Sequence, residues 1–134
     1  MSGVGSSTST HGSAVLTVGE VAERAGVTPS AVRFYERHGL IDSERSYGNQ
    51  RRFTDSAACR ILVAKVAQQV GLTVREIAEL FVALPVEPTP EDWRVIATAL
   101  IVDARTRIAR LETTLQEIAS GRMLCELPSR SQRR

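Results

Sequence analysis

Apolar residues recur with a helical period along most of the chain, and the period breaks at one place. Thr17-Val-Gly-Glu20 has the form of a capping box, in which the threonine oxygen and the glutamate carboxylate satisfy opposite unpaired N–H groups. Val18, Val21, Ala22 and Ala25 follow at helical spacing, and Gly26 supplies a stop. Thr28-Pro29 then offers an N-cap with proline in the first turn, which predicts a second helix to about His38, ended by Gly39. Two short helices joined by Gly26-Val27-Thr28 read as a helix-turn-helix. The period is lost from Leu40 and Ile41. Residues 42 to 49 are polar, Gly48-Asn49 marks a turn, and Phe53 closes a returning strand. Residues 41 to 53 are therefore expected to form a two-stranded hairpin, which makes the unit a winged helix-turn-helix.

Helical spacing resumes at Thr54, the expected cap of a third helix from about Asp55 to Val70. Ile61, Leu62, Lys65, Val66 and Gln69 share a side of it, with Leu62 and Val66 expected in the core. Gly71 ends it, and Thr73-Val-Arg-Glu76 is a second capping box, opening a helix to about Leu84. Pro85 to Pro90 reads as a linker. Thr89-Pro90 starts a last helix to about Ala119, roughly 45 Å long at ~1.5 Å per residue. Ile101, Ala104, Ile108, Leu111, Leu115 and Ile118 along it alternate steps of three and four, an a/d seam. A helix that long has no equal within the chain. The economical partner is a second copy in a coiled coil; the other reading docks the seam on the chain's own core.

The expected fold is mainly α. Residues 1–14 form a Ser/Thr/Gly-rich tail, expected to be disordered and unlike a signal peptide. Residues 15–84 form the winged helix-turn-helix DNA-binding head with linker helices, 85–120 the dimerisation helix, and 121–134 a basic C-terminal tail.

Composition adds a little. The chain has 134 residues and 43% hydrophobic positions, enough for one packed domain, but only 4% aromatics. Net charge is +2, and Lys65 is the single lysine, so the cations are nearly all arginine. Arginine suits bidentate phosphate and guanine contacts, although codon bias gives the same composition. Two cysteines, Cys59 and Cys125, build neither a disulfide scaffold nor a four-cysteine metal site in one chain, and a reducing cytoplasm is the default. No apolar run approaches the ~20 residues of a membrane span. An enzyme is not expected, for no nucleophile–base set, phosphate loop or carboxylate pair is visible.

Residues 17 to 41, TVGEVAERAGVTPSAVRFYERHGLI, resemble the DNA-binding head of the MerR family, and the hairpin with Gly48-Asn-Gln-Arg-Arg-Phe53 is similar to its SoxR branch. So are Lys65, Ala67 and Gln68, the Gly71-Leu72 corner, Ala83-Leu84-Pro85 and Asp92-Trp93. The resemblance covers about residues 15 to 118. It then departs: SoxR proteins carry a four-cysteine cluster after the long helix, and here only Cys125 lies near, out of register, so no [2Fe–2S] cofactor is expected.

The resemblance implies a homodimer on a pseudo-palindromic promoter operator, distorting the spacer between promoter elements for RNA polymerase. The second helix would enter the major groove, with Ser30 and Arg33 near bases and Tyr35, Arg37 and His38 near phosphates, while Phe34 packs in the core. Arg45, Asn49, Gln50, Arg51 and Arg52 of the wing would follow the backbone, with Thr17 at the start of the first helix. Arg51 and Phe53 share one strand face and Gln50 and Arg52 the other, so both arginines reach DNA only if the wing meets the backbone edge-on. An effector would sit among Leu72, Ile77, Leu80, Phe81, Leu84 and Trp93, although Trp93 also reads as a packing residue. These side chains suit an organic small molecule. No metal-ligand set is visible. Two alternatives stand beside this: Cys125 as a single-thiol redox sensor, and an effector-independent architectural DNA binder or repressor. Cys59 is expected to be buried packing.

Overall fold

A computed structural model describes residues 15–121; the two tails and Cys125 lie outside them. Five α-helices and one short hairpin follow in the order α1 (Val18–Ala25), α2 (Pro29–Arg37), β1 (Ser43–Arg45), β2 (Arg51–Phe53), α3 (Ser56–Gln69), α4 (Val74–Phe81) and α5 (Pro90–Ala119). Helix starts obey local chemistry. Thr17 and Glu20, Thr73 and Glu76, and Thr89 and Asp92 each close a reciprocal capping box. Thr28 caps α2 through its hydroxyl, which accepts from the Ala31 amide at 3.1 Å. Gly26 ends α1 at φ 68°, a left-handed conformation open to glycine without steric cost.

The strands are antiparallel, with Ser43 opposite Phe53, Glu44 opposite Arg52 and Arg45 opposite Arg51. A single 3-10 turn, Tyr47–Asn49, joins them. The base of the hairpin gains a rung that the sequence pattern does not announce. Leu16 and Phe53 exchange backbone hydrogen bonds at 2.8 and 2.7 Å.

The core lies where α1, α2, α3 and the wing base converge, around Val21, Val32, Leu40, Phe53, Ile61 and Ile77. Three expectations fail here. Leu62 and Val66 are 43% and 52% exposed. α3 has two apolar faces, and the inward one is Ala57, Ile61, Ala64 and Ala67. Small side chains there share the core with Ala22 and Ala25 of α1, against which α3 packs. Thr54 does not cap α3 through its side chain; Asp55 holds the cap position without a side-chain bond, and the Thr54 hydroxyl shares a hydrogen bond with Ser56 instead. α4 stops at Phe81, short of Leu84.

The apolar anchors of α5 lie in its first half. Ile96 and Leu100 are buried and Trp93 packs edge-on against Phe81, with ring centroids 6.0 Å apart. Farther along, Arg107 reaches back to Asp103 at 2.7 Å and to Glu76 of α4 at 3.4 Å. The seam itself stays open: Ile101, Ile108, Leu111, Leu115 and Ile118 are all exposed and Ala104 is half-buried. The five large seam residues are thus not packed into the chain's own core, although Ala104, Ile108 and Leu111 border an open groove with Gln69, Val70 and Gly71. The linker before α5 is tied to the head. The Arg60 guanidinium donates to the Pro85 carbonyl at 2.6 Å and to the Ser56 hydroxyl, and Ser56 donates to the Val86 carbonyl at 3.0 Å. Burial pulls the Arg60 guanidinium below its ordinary pKa, and Asp42 and Glu87 push it back.

Candidate nucleic-acid interface

α2 is amphipathic. Val32 and Tyr35 face the core, while Ser30, Arg33 and Arg37 stand on the exposed side with His38 just beyond. Spacing of three and four residues places Ser30, Arg33 and Arg37 on one stripe. Two aromatic residues of α2 pack inward. Tyr35 is only 7% exposed, and its hydroxyl donates inward to Gln68 Oε1 of α3 at 2.9 Å. It lies one helical turn from Val32, on the buried stripe of the helix. Phe34 is half-buried and packs against the core, with its ring 4.5 Å from that of His38.

The wing lies beside α1. Thr17, Val18, Gly19, Arg45, Gln50, Arg51 and Arg52 line one shallow depression at the α1 N-terminus. Arg51 and Arg52 both border it, although they alternate in facing along β2. Three arginines thus border one patch beside the start of α1. Each part is fixed locally. Arg45 donates to the Asn49 carbonyl at 2.9 Å and so holds the turn. Asn49 itself adopts a left-handed φ of 62°, tolerated by asparagine. The Thr17 hydroxyl serves the α1 cap, accepting from the Glu20 amide. Backbone and hydroxyl donation from Thr17 holds the Glu20 carboxyl below its ordinary pKa.

Arg51 is also engaged within the chain. Its Nε lies 3.1 Å from Glu36 Oε1, and Ser43 donates its hydroxyl to Glu36 Oε2. Glu36 and Gln68 are the two residues that sequence reading missed. Each is a polar side chain in a helix whose partner arrives from a distant element, and nothing local signals that meeting.

The six residues proposed for an effector do not form one pocket. Ile77 and Phe81 are buried on the inward face of α4. Leu72 and Leu80 line a shallow groove between α4 and α5 with Glu76, Glu79, Ala99 and Asp103. Leu84 and the edge of Phe81 border a cavity of about 470 Å³ beside the wing base with Arg60. Trp93 borders a third, almost wholly apolar groove with Leu62, Val63, Val66, Ile96 and Leu100. Cys59 is exposed, not buried, because it falls outside the alanine face of α3. Among the described residues no three His, Cys, Asp or Glu side chains gather as a metal site. No helix among them is long and apolar enough to cross a membrane.

Comparison with known proteins agrees with this geometry. Residues 16–84 match the family described as MerR HTH family regulatory protein, and residues 60–120 match the one described as MerR, DNA binding. The chain is 40% identical over 86 residues to an HTH-type transcriptional activator SoxR homolog of Chromobacterium violaceum, covering 63% of this chain and 58% of that protein. It is 36% identical over 107 residues to the mercuric resistance operon regulatory protein of Serratia marcescens, covering 77% and 74%. A crystal structure of a MerR family regulator from Listeria monocytogenes shares the fold, with a TM-score of 0.52, 24% identity, and coverage of 79% of this chain and 82% of that one.

Proposed function

The chain belongs to the MerR family of helix-turn-helix, DNA-binding transcriptional regulators, and from that premise we propose that it acts as a homodimer on a pseudo-palindromic promoter operator. The observation that carries the reading is the presence of two cationic surfaces on one head. The exposed α2 stripe of Arg33 and Arg37 belongs to the same head as the depression lined by Arg45, Arg51 and Arg52. Ser30 and Arg33 read base edges in the major groove; Arg37, His38 and the wing, with Thr17, Asn49 and Gln50, grip phosphates.

The apolar seam of α5 is the dimer contact, since a helix with five large aliphatic residues exposed along one register is stable in water when a second copy covers it. Two heads held by that rod bend and undertwist the promoter spacer for RNA polymerase, at a deformation cost on the order of 1–10 kcal/mol. The apolar groove at Trp93 and the Leu72–Leu80 groove favour an organic small molecule as effector. Only Cys125 lies near the region where the SoxR branch places four cysteines, so the reading includes no [2Fe–2S] cluster. It has no enzymatic role and resides in the cytoplasm.

A pair of substitutions tests the DNA reading. Arg51→Ala should weaken binding and lower the salt slope by about 1. Arg33→Ala should instead narrow the gap between selected and shuffled duplexes, by about 1–3 kcal/mol per lost base contact. An unchanged salt slope in the first, or a uniform loss in the second, removes that residue from its role.

A further inference from the structure

The stripe on α2 that faces DNA in this reading is cationic, yet Glu36 stands beside it in the last turn. By charge alone Glu36 opposes a phosphate backbone. Its two oxygens are not idle: Oε1 pairs with Arg51 Nε at 3.1 Å and Oε2 accepts from the Ser43 hydroxyl. Ser43 belongs to β1 and Arg51 to β2, and in the observed register they fall on the same face of the hairpin. One carboxylate therefore grips both strands of the wing. At the wing base, the backbone rung between Leu16 and Phe53 fastens the hairpin to the chain entering α1. Glu36 fastens it instead to the helix that enters the groove.

We propose that Glu36 is a positioning residue for DNA recognition, setting the wing at a fixed distance from α2 so that both engage the duplex as one rigid piece. The inference rests on the DNA-binding reading above. The carboxylate also orients Arg51: with Nε held, the terminal Nη amines carry its remaining donors, and a planar guanidinium fixed at one edge presents the others in a set direction. Base discrimination by Arg33 then depends on a residue that meets no base. Without the clamp, the wing finds phosphates in several registers and α2 loses its single seat in the groove.

Charge and geometry predict opposite outcomes. If Glu36 matters only as a negative charge near DNA, Glu36→Gln and Glu36→Ala both remove it and both tighten binding alike. If it is a clamp, glutamine retains it, with the amide oxygen accepting from Arg51 and the amide nitrogen donating to Ser43, whereas alanine abolishes it. The test uses the full chain and two duplexes, one selected by the wild-type protein from a randomised pool and one shuffled from it. Glu36→Gln should keep the selected-to-shuffled affinity ratio, and Glu36→Ala should lose about tenfold of it, the scale of one charge-assisted hydrogen bond. Equal behaviour of the two variants overturns the proposal, as does an unchanged ratio in Glu36→Ala. Hydrogen exchange without DNA decides independently. In Glu36→Ala the Ser46 amide, bonded to Gln50 across the wing at 2.8 Å, should exchange faster while α1 amides keep their protection; unaltered Ser46 protection overturns the clamp. A wild-type protein that selects no duplex sinks the DNA reading, and the exchange arm still judges the clamp.

Discussion

The Tyr35 hydroxyl donates to Gln68 Oε1 at 2.9 Å, joining α2 to α3 across 33 residues of sequence. The bond turns a residue of the recognition helix into part of its foundation. Tyr35→Phe keeps the ring and removes the bond, and should cost about 0.5–1.5 kcal/mol of stability with little change in DNA affinity. Denaturant midpoints and duplex titrations check this. A large loss of affinity at unchanged stability would return Tyr35 to the phosphate backbone.

The same phenol predicts a pH dependence. Burial raises the Tyr35 pKa above its ordinary 10.0. The folded chain then holds the proton more tightly than the unfolded one. This contribution is fully present below pH about 10 and is lost as pH rises from there through the folded pKa. Wild type should lose stability relative to Tyr35→Phe only in that alkaline window. A constant difference across it would mean the phenol is solvated.

Gly71 sits at φ +103°, and a Cβ built there would lie 3.2 Å from Arg107 Cδ. Gly71→Ala should destabilise the chain by about 1–3 kcal/mol, partly through backbone strain and partly by pushing Arg107 off Glu76 and Asp103. Adding Arg107→Ala relieves the collision but not the strain, so the double variant should lose less than the sum of the singles. Strict additivity in urea melts would show that Arg107 swings aside freely.

Leu111 is 63% exposed in the middle of the seam. Leu111→Asp places a charge in the proposed dimer contact and should give monomers in sedimentation while the head keeps its thermal transition. A surviving dimer would move the contact elsewhere.

The sequence showed most clearly what depends on neighbours in the chain. The capping boxes at Thr17 and Thr73 and the Thr89-Pro90 start of α5 are closed within three residues, and all three appear where the pattern puts them. The extent of α5, Pro90–Ala119, also follows from its period and its proline. Leu62 and Val66 misled because bulk is a poor guide on a helix with two apolar faces. The face that packs is the one whose alanines fit α1, and that fit is a property of two helices together. The inward bond of Tyr35 is hidden from the sequence for the same reason, since Gln68 is invisible from α2. The wing arginines border α1 where Leu16 pairs with Phe53, a long-range contact no local signal carries. The effector residues scattered because α4 turns Ile77 and Phe81 inward and leaves Leu72 and Leu80 on its flank.

Two features of α5 act together at a larger scale. Its 30 residues form one uninterrupted helix, and its entry is strapped to the head by Arg60 and Ser56 at Pro85 and Val86. Such a rod shortens only by breaking its own hydrogen bonds, and the strap removes slack at the joint. On the proposed dimer, a pair of these chains would be a caliper with a locked opening. Operator half-sites at the wrong separation or angle would then meet little give in the protein, and the misfit would be taken up as bend and twist in the DNA.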